Sequence, residues 1–269
     1  MTHDPHGWTA LVLAGQRPGT DPVAAQFGLA SKALVPVAGE LMLGRVLMAL
    51  ADAPEVARIV VLAQNAPELM AHPDLAWAAA DRRITARMSG RTISGSVREA
   101  VRDPAIGLPV LVTTADNVML TPSSIAEFIA GAGNSDVSVA MVERDRLLAA
   151  VGPNRRTWLK FKGGAYTGAN LFALNAPAAI NALRFWERVE QDRKSVPRLA
   201  AHFGPALMAR LLLRRMTVHD ALTAAGEKLG ATVAPVLLSD GRMGVDVDKP
   251  ADHALAERLL TRPSQTGRG

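Results

Sequence analysis

The sequence predicts an α/β protein with a mostly parallel central sheet and helices on both faces. Four short apolar runs, rich in Val and Leu, are separated by stretches with helical spacing; they cover residues 9–14, 58–63, 109–114 and 136–142. Short continuous runs of this kind are typical of strands that are buried on both faces of a parallel sheet. The chain has 269 residues, 49% of them hydrophobic, which is enough for one large domain with a sizeable core.

Helices are predicted between these strands, over residues 41–51, 67–79, 96–102 and 122–131. The start of the last one is the most clearly marked, because Thr121 is a favoured N-cap residue and Pro122 follows at the first helical position. The strand in "LPVLVTTAD" therefore passes into a helix through a short loop, and that loop marks the carboxyl edge of the sheet.

The alternation of strands and helices breaks after Val142. The segment "TWLKFKGGAYTGANLFAL" predicts two strands around a Gly-Gly turn, and a long helical stretch follows from Ala176 to about Leu222. Two more strands are predicted in "ATVAPVLL" and "RMGVDV", with a closing helix from about Pro250. We interpret 1–262 as one domain, 145–225 as a largely helical insertion that determines acceptor specificity, and 263–269 as a disordered tail.

Composition excludes several classes of site. Without cysteine there is no disulfide, thiol nucleophile or cysteine-ligated metal, and the six histidines lack the spacing of a metal site. The N-terminus lacks a basic segment followed by an apolar one, and no run approaches the roughly 20 apolar residues of a membrane span. These features predict a soluble cytoplasmic protein.

The formal net charge of +5 favours anionic ligands. Nucleic acid is not the expected one, since the four Trp, six Phe and one Tyr are not interleaved with basic residues. The surplus lies within 184–216, where a helix edged by Arg210 and Arg214 lies close in sequence to Phe185 and Trp186. Such a helix would rest on an anionic membrane surface; the alternative is a helix that packs on the sheet or on a second subunit of a homodimer.

A loop suited to phosphate follows the first predicted strand, in "LVLAGQRPGTDPVAAQFGLASKALVPVAGELML". Gly15 allows backbone N–H groups to approach an anion, and Arg17 and Lys32 add two positive charges. The loop is neither a P-loop, which needs Gly-Lys-Ser/Thr, nor the Gly-x-Gly-x-x-Gly turn of dinucleotide sites. Taken alone, it would also be compatible with an ordinary solvated loop.

Carboxylates are expected at the same edge of the sheet. Asp116 in "TTADNVMLTP" lies just past a central strand, where open α/β sheets bind ligands. In "GVDVDKPADHALAE", Asp246 and Asp248 occupy alternate positions at the end of a late strand, so one of them faces inward. Aspartates here are often only turn or capping residues. Together with the cationic loop, however, they indicate a site for Mg²⁺ and a polyphosphate.

The combined pattern resembles the MobA-like NTP transferases, nucleotidyltransferases of the GT-A-like fold. The shared segments are "LAGQR", "KALVPVAGELML", the strand-end Asp116 and "DVDKPADHAL", and the resemblance covers roughly 8–53, 91–128 and 244–259. It implies a single Rossmann-like domain. It also implies Mg²⁺-dependent transfer of a nucleotidyl group from an NTP to a phosphorylated or phosphonate acceptor, a small molecule or a lipid head group, with release of pyrophosphate.

The resemblance assigns roles to individual positions. The phosphate-binding loop would contain Leu13, Ala14, Gly15 and Arg17. Lys32 would contact the nucleotide phosphates, and Asp116 would be the first metal ligand. The second ligand would be Asp248 or Asp246, and the match favours Asp248. Arg17, Lys32 and Asp116 are thus the expected catalytic residues.

Two further contacts are implied. Ser94, Gly95 and Ser96 in "RTISGSVREAV" would contact base and ribose, although Gly95 or Ser96 is equally suited to be a helix N-cap. Gly168 and Asn170 in "YTGANLFAL" would contact the acceptor.

This sequence departs from the family pattern at some positions, with one glycine before Gln16 and Ser31 before Lys32, so no base is assigned. Two other functions stay open: a GT-A glycosyltransferase, although "TADN" lacks Asp-x-Asp, and a non-catalytic nucleotide-binding protein.

Overall fold

The computed structural model describes residues 7–16, 19–90, 92–154, 156–189 and 204–261. The first half of the chain forms β1 (Trp8–Leu13), α1 (Pro22–Gln26), β2 (Pro36–Val37), β3 (Glu40–Leu41), α2 (Met42–Ala51), β4 (Val56–Ala63), α3 (Ala66–Met70), α4 (Ala76–Ala80), β5 (Ile84–Met88), α5 (Ile93–Arg102), β6 (Val110–Thr114) and α6 (Pro122–Ala132). The second half forms β7 (Val137–Glu143), α7 (Arg144–Val151), β8 (Leu159–Phe161), β9 (Gly164–Leu174), α8 (Ala179–Val189), α9 (Pro205–Leu212), α10 (Val218–Leu229), β10 (Val233–Leu237) and α11 (Pro250–Thr261).

The central sheet has the strand order β10-β7-β9-β6-β1-β4-β5, and β8 pairs with β9. The pairs β1–β4, β1–β6, β4–β5 and β7–β10 are parallel, whereas β9 is antiparallel to β6, β7 and β8. The predicted mostly parallel α/β sheet is therefore confirmed. Because β6, β1, β4 and β5 are parallel neighbours, their carboxyl ends lie side by side along one edge of the sheet.

Helices cover both faces of the sheet, as predicted. In β1, Ala10 and Val12 pack into the core cluster on the side of α2 and α6, and Leu11 packs into the cluster that contains residues of α5 and α8. This division follows from the alternation of side chains along a strand. Alternate residues of β1 thus contribute to both halves of the core.

Helix α6 begins as the sequence predicts. Thr121 accepts a hydrogen bond from the Ser124 amide, and the Ser124 hydroxyl accepts one from the Thr121 amide, which completes a capping box with Pro122 at the first helical position. The predicted helix over 67–79 is instead divided, because Pro73 follows His72 in an extended conformation and a short 3-10 helix, Pro73–Leu75, separates α3 from α4.

The prediction of a strand in "RMGVDV" is wrong. Residues Gly241–Gly244 form a 3-10 helix, and the Asp240 side chain caps it by accepting a hydrogen bond from the Arg242 amide at 2.9 Å. Gly241 also packs so tightly against α7 that a Cβ atom there would lie 2.2 Å from the Arg146 carbonyl oxygen. The segment after this turn is extended and buries Val245 and Val247 without pairing as a strand.

The region 145–225 contains the two predicted strands, β8 and β9, followed by the helices α8, α9 and α10. Strand β9 lies in the middle of the sheet, between β6 and β7, so this region contributes to the central core as well as to the periphery. Its role in acceptor specificity stays a prediction, and the predicted tail at 263–269 lies outside the described residues. In the part of the chain that the structure describes, every helix is too short or too polar to span a membrane.

Candidate active site

A cleft of about 680 Å³ opens at the carboxyl edge of β6, β1, β4 and β5. Four strand ends supply much of its lining: Leu13, Ala14, Gly15 and Gln16 at the end of β1, Gln64 after β4, Ser89 and Gly90 after β5, and Thr114, Ala115 and Asp116 at the end of β6. Lys32 and Asp248 complete the end of the cleft near Asp116. The topology therefore brings together Lys32 and Asp248, which are 216 positions apart in the sequence.

Lys32 binds both carboxylates of this cluster. Its Nζ atom donates to Asp116 Oδ2 at 2.5 Å and to Asp248 Oδ1 at 3.2 Å. The Asp116 side chain is only 12% exposed, whereas that of Asp248 is 63% exposed. One ammonium group thus lies between a buried carboxylate and a solvated one.

Local structure fixes both partners of Lys32. Lys32 itself begins the 3-10 helix Lys32–Leu34. Asp116 lies two residues after the end of β6, and the Thr114 hydroxyl donates to its Oδ1 atom at 2.5 Å. Near Asp248, the side chain of Asp252 accepts hydrogen bonds from the backbone N–H groups of residues 248 and 249 at the start of α11.

Burial and charge act in opposite directions on the protonation of this cluster. Burial lowers the pKa of Lys32, but the attraction of Asp116 and Asp248 outweighs that effect, so the pKa of Lys32 lies above its ordinary value. Burial also raises the pKa of Asp116, and the Lys32 ammonium and the Thr114 hydroxyl offset only part of that rise. Lys32 is therefore protonated at neutral pH.

The sequence left two candidates for the second metal ligand, Asp246 and Asp248, and the structure gives them different surroundings. Asp248 lines the cleft, whereas Asp246 accepts hydrogen bonds from Arg156 at 2.7 Å and from the Asn170 side chain at 3.2 Å. The intervening Val247 is fully buried, and its backbone N–H donates to the Asp116 carbonyl. Asp246 thus has protein partners away from Lys32, and Arg156 is a partner that the sequence did not reveal.

The loop after β1 is bound by a side chain that sequence reasoning missed. The Gln64 side chain accepts from the Gln16 backbone N–H at 2.9 Å and donates to the Gln16 carbonyl at 3.1 Å. Leu13, Ala14 and Gly15 line the cleft as expected, and Arg17 lies outside the described residues. The signal for Gln64 was present, because it is a polar residue directly after a buried strand, the same criterion that singled out Asp116.

The predicted base and ribose contacts are only partly in the cleft. Helix α5 begins at Ile93 with Thr92 as its N-cap, so the alternative of an N-cap at Gly95 or Ser96 is wrong. Ser96 lines the cleft, and its hydroxyl accepts from the Gly90 backbone N–H at 2.9 Å; Ser94 is buried within the first turn. In this part of the cleft, the lining also includes Ser89, Gly90, Thr92 and Ile93, which the sequence did not single out.

The predicted acceptor residues lie away from the cleft lining. Asn170, in β9, has a φ of 47°, and its backbone carbonyl accepts from the Thr113 hydroxyl at 2.9 Å while its side chain donates to Asp246. Gly168, in the same strand, has open space where a side chain would lie. An acceptor contact at these two positions stays a prediction.

The family model of the MobA-like NTP transferase domain matches residues 10–242. The chain belongs to this family. As a MobA-like NTP transferase it is a nucleotidyltransferase, and the matched residues include Lys32 and Asp116 but end before Asp246 and Asp248. No curated protein matches the chain.

Solved structures agree with the fold of a MobA-like NTP transferase. A hypothetical transferase from Thermus thermophilus is 28% identical, with a TM-score of 0.76, and the match covers 92% of this chain and 99% of that one. The 4-diphosphocytidyl-2C-methyl-D-erythritol synthase from Anaerococcus prevotii is 12% identical, with a TM-score of 0.57 and coverage of 95% and 96%. A CMP:2-keto-3-deoxy-manno-octonic acid synthetase, solved with CTP, is 16% identical, with a TM-score of 0.56 and coverage of 94% and 98%. The last two show the fold alone.

The residues present fit a magnesium ion. Within the described ranges no group of three or more His, Cys, Asp or Glu side chains is placed to hold a metal. The pair Asp116 and Asp248 nevertheless offers carboxylate oxygens on either side of the position of a cation, the Lys32 ammonium. Mg²⁺ is commonly held by one or two carboxylates, with phosphate oxygens and water completing its octahedral shell. A two-carboxylate site of this kind suits an ion that arrives with a nucleotide.

Proposed function

We propose that this MobA-like NTP transferase moves a nucleotidyl group from an NTP to a phosphorylated or phosphonate acceptor and releases pyrophosphate. The observation that carries the proposal is the contact of Lys32 with both Asp116 and Asp248, at one end of a cleft that also contains the loop after β1. An ammonium group, two carboxylates and a loop with backbone N–H groups thus lie in one cleft, and these are the groups that bind a triphosphate and its metal ion.

Asp116 and Asp248 are the residues that would hold Mg²⁺. When bound, the ion would neutralise charge on the phosphates of the nucleotide. Lys32 would give its ammonium to the same phosphates and stabilise the negative charge that grows on the leaving pyrophosphate. Asp246, already paired with Arg156 and Asn170, would hold the segment that carries Asp248.

The proposed reaction needs no protein nucleophile. An oxygen of the acceptor phosphate forms a bond to the α-phosphorus, and the bond from that phosphorus to the bridging oxygen of the β-phosphate breaks, so pyrophosphate leaves. A phosphate monoester is already anionic at neutral pH, because its second pKa is about 6, and no general base has to remove a proton. The protein therefore acts by alignment and by charge stabilisation.

The cleft runs along the edge of the sheet, and its two ends would bind different parts of the nucleotide. Asp116 follows β6, whereas Ser89 and Gly90 follow β5, three strands away at a spacing of roughly 4.8 Å per strand. Phosphates would lie near Lys32, and base and ribose would lie towards Ser89 and Ser96. The experiment below determines the base and distinguishes a small-molecule acceptor from a lipid head group. The proposal includes a cytoplasmic location.

Pyrophosphate release tests the proposal. Purified protein is incubated with each NTP, Mg²⁺ and a panel of phosphorylated sugars, polyols and lipids. At least one pair should release pyrophosphate in amounts equal to the new product, and Asp116→Asn should reduce the rate by at least about 100-fold. Asp74→Asn, a change of an exposed aspartate outside the cleft lining, is the matched control. Consumption of a nucleotide sugar, without pyrophosphate from any NTP, would instead identify a glycosyltransferase.

A further inference from the structure

The Gln64 side chain continues the pairing of β1 and β4 beyond the end of both strands. The last regular contact between them is the hydrogen bond from the Ala14 backbone N–H to the Leu62 carbonyl at 2.9 Å. Two residues further along, the Gln64 amide takes the place of a backbone partner, accepting from the Gln16 N–H and donating to the Gln16 carbonyl. A side chain therefore satisfies both backbone groups of a residue in the loop.

Gly15 lies against this amide. A Cβ atom at position 15 would lie 2.9 Å from Gln64 Oε1, 3.2 Å from Nε2 and 3.3 Å from Cδ. The φ angle of Gly15 is outside the left-handed region, so the backbone conformation itself would accept a side chain. A side chain at position 15 would therefore displace the Gln64 amide, so the two residues form one steric unit.

The arrangement leaves one loop amide available to a ligand. Among the described residues, none accepts a hydrogen bond from the Gly15 backbone N–H, and Gly15 lines the cleft. Since Gln64 holds the next residue on both of its backbone groups, the orientation of this free N–H is fixed in advance. Preorganised donors bind an anion more tightly than a loop that must be ordered first.

We infer that Gln64 is a positioning residue, which holds residues 14–16 in the conformation that receives the nucleotide phosphates, with Gly15 as its steric partner. This inference rests on the proposed function, because it takes the loop to be the phosphate-binding element. It adds a residue from a neighbouring strand to a loop that sequence motifs describe by its own residues alone.

Two substitutions of Gln64 separate its hydrogen bonds from its bulk. Gln64→Met keeps most of the volume but removes both bonds, and Gln64→Ala removes both bonds and the bulk. Each should weaken binding of the Mg²⁺ complex of the NTP by about 10-fold, measured by calorimetry, since two net hydrogen bonds are lost. KM for the NTP should rise more than kcat falls, because Gln64 acts on the loop and not on the reacting atoms.

Hydrogen exchange gives a readout that is independent of turnover. In the nucleotide-free protein the Gln16 amide should lose protection by about 10-fold or more in Gln64→Met, while amides inside β1 keep theirs. Gln26→Met, the same change at an exposed glutamine at the end of α1, is the matched control and should alter neither exchange nor binding. Unchanged protection of Gln16 in Gln64→Met would overturn the inference.

A double-mutant cycle tests the pairing of Gly15 with Gln64. Gly15→Ala should weaken nucleotide binding by about 10-fold in the wild-type background, because the new Cβ displaces the amide, and by less than about 2-fold in Gln64→Ala, where the space is empty. Additive effects would contradict the steric unit. A wild-type protein that binds no NTP would overturn the proposed function, whereas the exchange of the Gln16 amide would still report whether Gln64 holds the loop.

Discussion

Lys32 is the residue on which the electrostatics of the cleft depend, because its ammonium contacts Asp116 and Asp248 at once. In Lys32→Met the turnover should fall by at least about 10-fold, since the proposed function assigns to this cation the stabilisation of the leaving pyrophosphate. Binding of Mn²⁺ to the nucleotide-free protein should become tighter, because the ammonium no longer competes for the carboxylates.

Mn²⁺ binding to Lys32→Met should be measured by electron paramagnetic resonance at pH 8. Loss of the lysine raises the pKa of Asp116 further, since the ammonium now lowers it, and an alkaline pH favours the ionised carboxylate that binds a metal. Weaker Mn²⁺ binding together with unchanged turnover would show that Lys32 is only a structural partner of the two aspartates.

Replacing Asp246 and Asp248 singly with asparagine should have different effects, one on stability and the other on activity. Asp248→Asn should reduce pyrophosphate release by about 100-fold with unchanged stability, because this exposed side chain would lose its charge at the metal. Asp246→Asn should lower the free energy of unfolding by about 2 kcal/mol, since the guanidinium of Arg156 loses its charged partner. Urea unfolding and rate measurements on both variants check this, and the reverse pattern would exchange the two roles.

At the residue scale, the sequence could indicate which side chains meet but not how each is used. Asp116 and Lys32 were predictable because one follows a buried strand and the other stands in the loop opposite it. The different contacts of Asp246 and Asp248 were not predictable, since those of Asp246 depend on Arg156 and Asn170, which come close only in the folded chain. The alternation of a strand does not apply where the chain leaves the sheet.

At the scale of elements, hydrogen bonds of Asp136 link the start of β7 to the segment before β10. Its carboxylate accepts from the Thr232 backbone N–H and from the Thr232 hydroxyl, both at 2.7 Å, and these bonds hold the pKa of Asp136 below its usual value. A lowered pKa in the folded state means that the stabilisation is complete above the unfolded value of 3.8 and is lost as the pH falls through the folded value.

Asp136→Ala should therefore destabilise the protein at neutral pH, and the difference from wild type should stay constant down to about pH 5 and shrink below the ordinary range of an aspartate. Urea unfolding of both proteins across this range measures the difference. An equal difference at pH 7 and pH 3 would mean that the charge of Asp136 is not what fastens β10 to β7.

The elements that the sequence predicted well are those whose partners are local or whose burial is complete. Strands β1, β4, β6 and β7 are mostly apolar and mostly buried, and α6 carries its own capping box. Strand β5 gave no such signal, because four of its five residues are exposed at the edge of the sheet. The turn at Gly241 was taken for a strand since only tertiary contact with α7 reveals it.

At the scale of the whole molecule, α9 presents a surface that the fold leaves partly uncovered. None of its eight residues is buried, and Leu212 and Leu213 are 69% and 62% exposed beside Arg210, Arg214 and Arg215. The apolar side of this helix is therefore only half covered by the described part of the chain. Both expectations from the sequence, an anionic membrane surface and a second subunit, remain predictions for this face; part of the segment 184–216 lies outside the described residues.

Vesicle sedimentation distinguishes these partners. A membrane role predicts binding to anionic vesicles that weakens with salt, does not occur with neutral vesicles, and is lost in the triple variant Arg210→Glu, Arg214→Glu and Arg215→Glu. Absence of binding at low salt would exclude that role and favour a soluble acceptor. Sedimentation velocity of the same two proteins then shows whether the face joins two copies of the chain.

The central claim is that an acceptor phosphate attacks the α-phosphorus of an NTP in the cleft between Lys32 and Ser89. The most direct test labels the acceptor phosphate with ¹⁸O, using the pair that releases the most pyrophosphate, and locates the label by ³¹P NMR. The proposed reaction predicts ¹⁸O in the bridge between the α-phosphorus and the acceptor phosphorus, with unlabelled pyrophosphate and no product from Asp116→Asn. Label in the released pyrophosphate, or no pyrophosphate from any NTP with any acceptor, would contradict it.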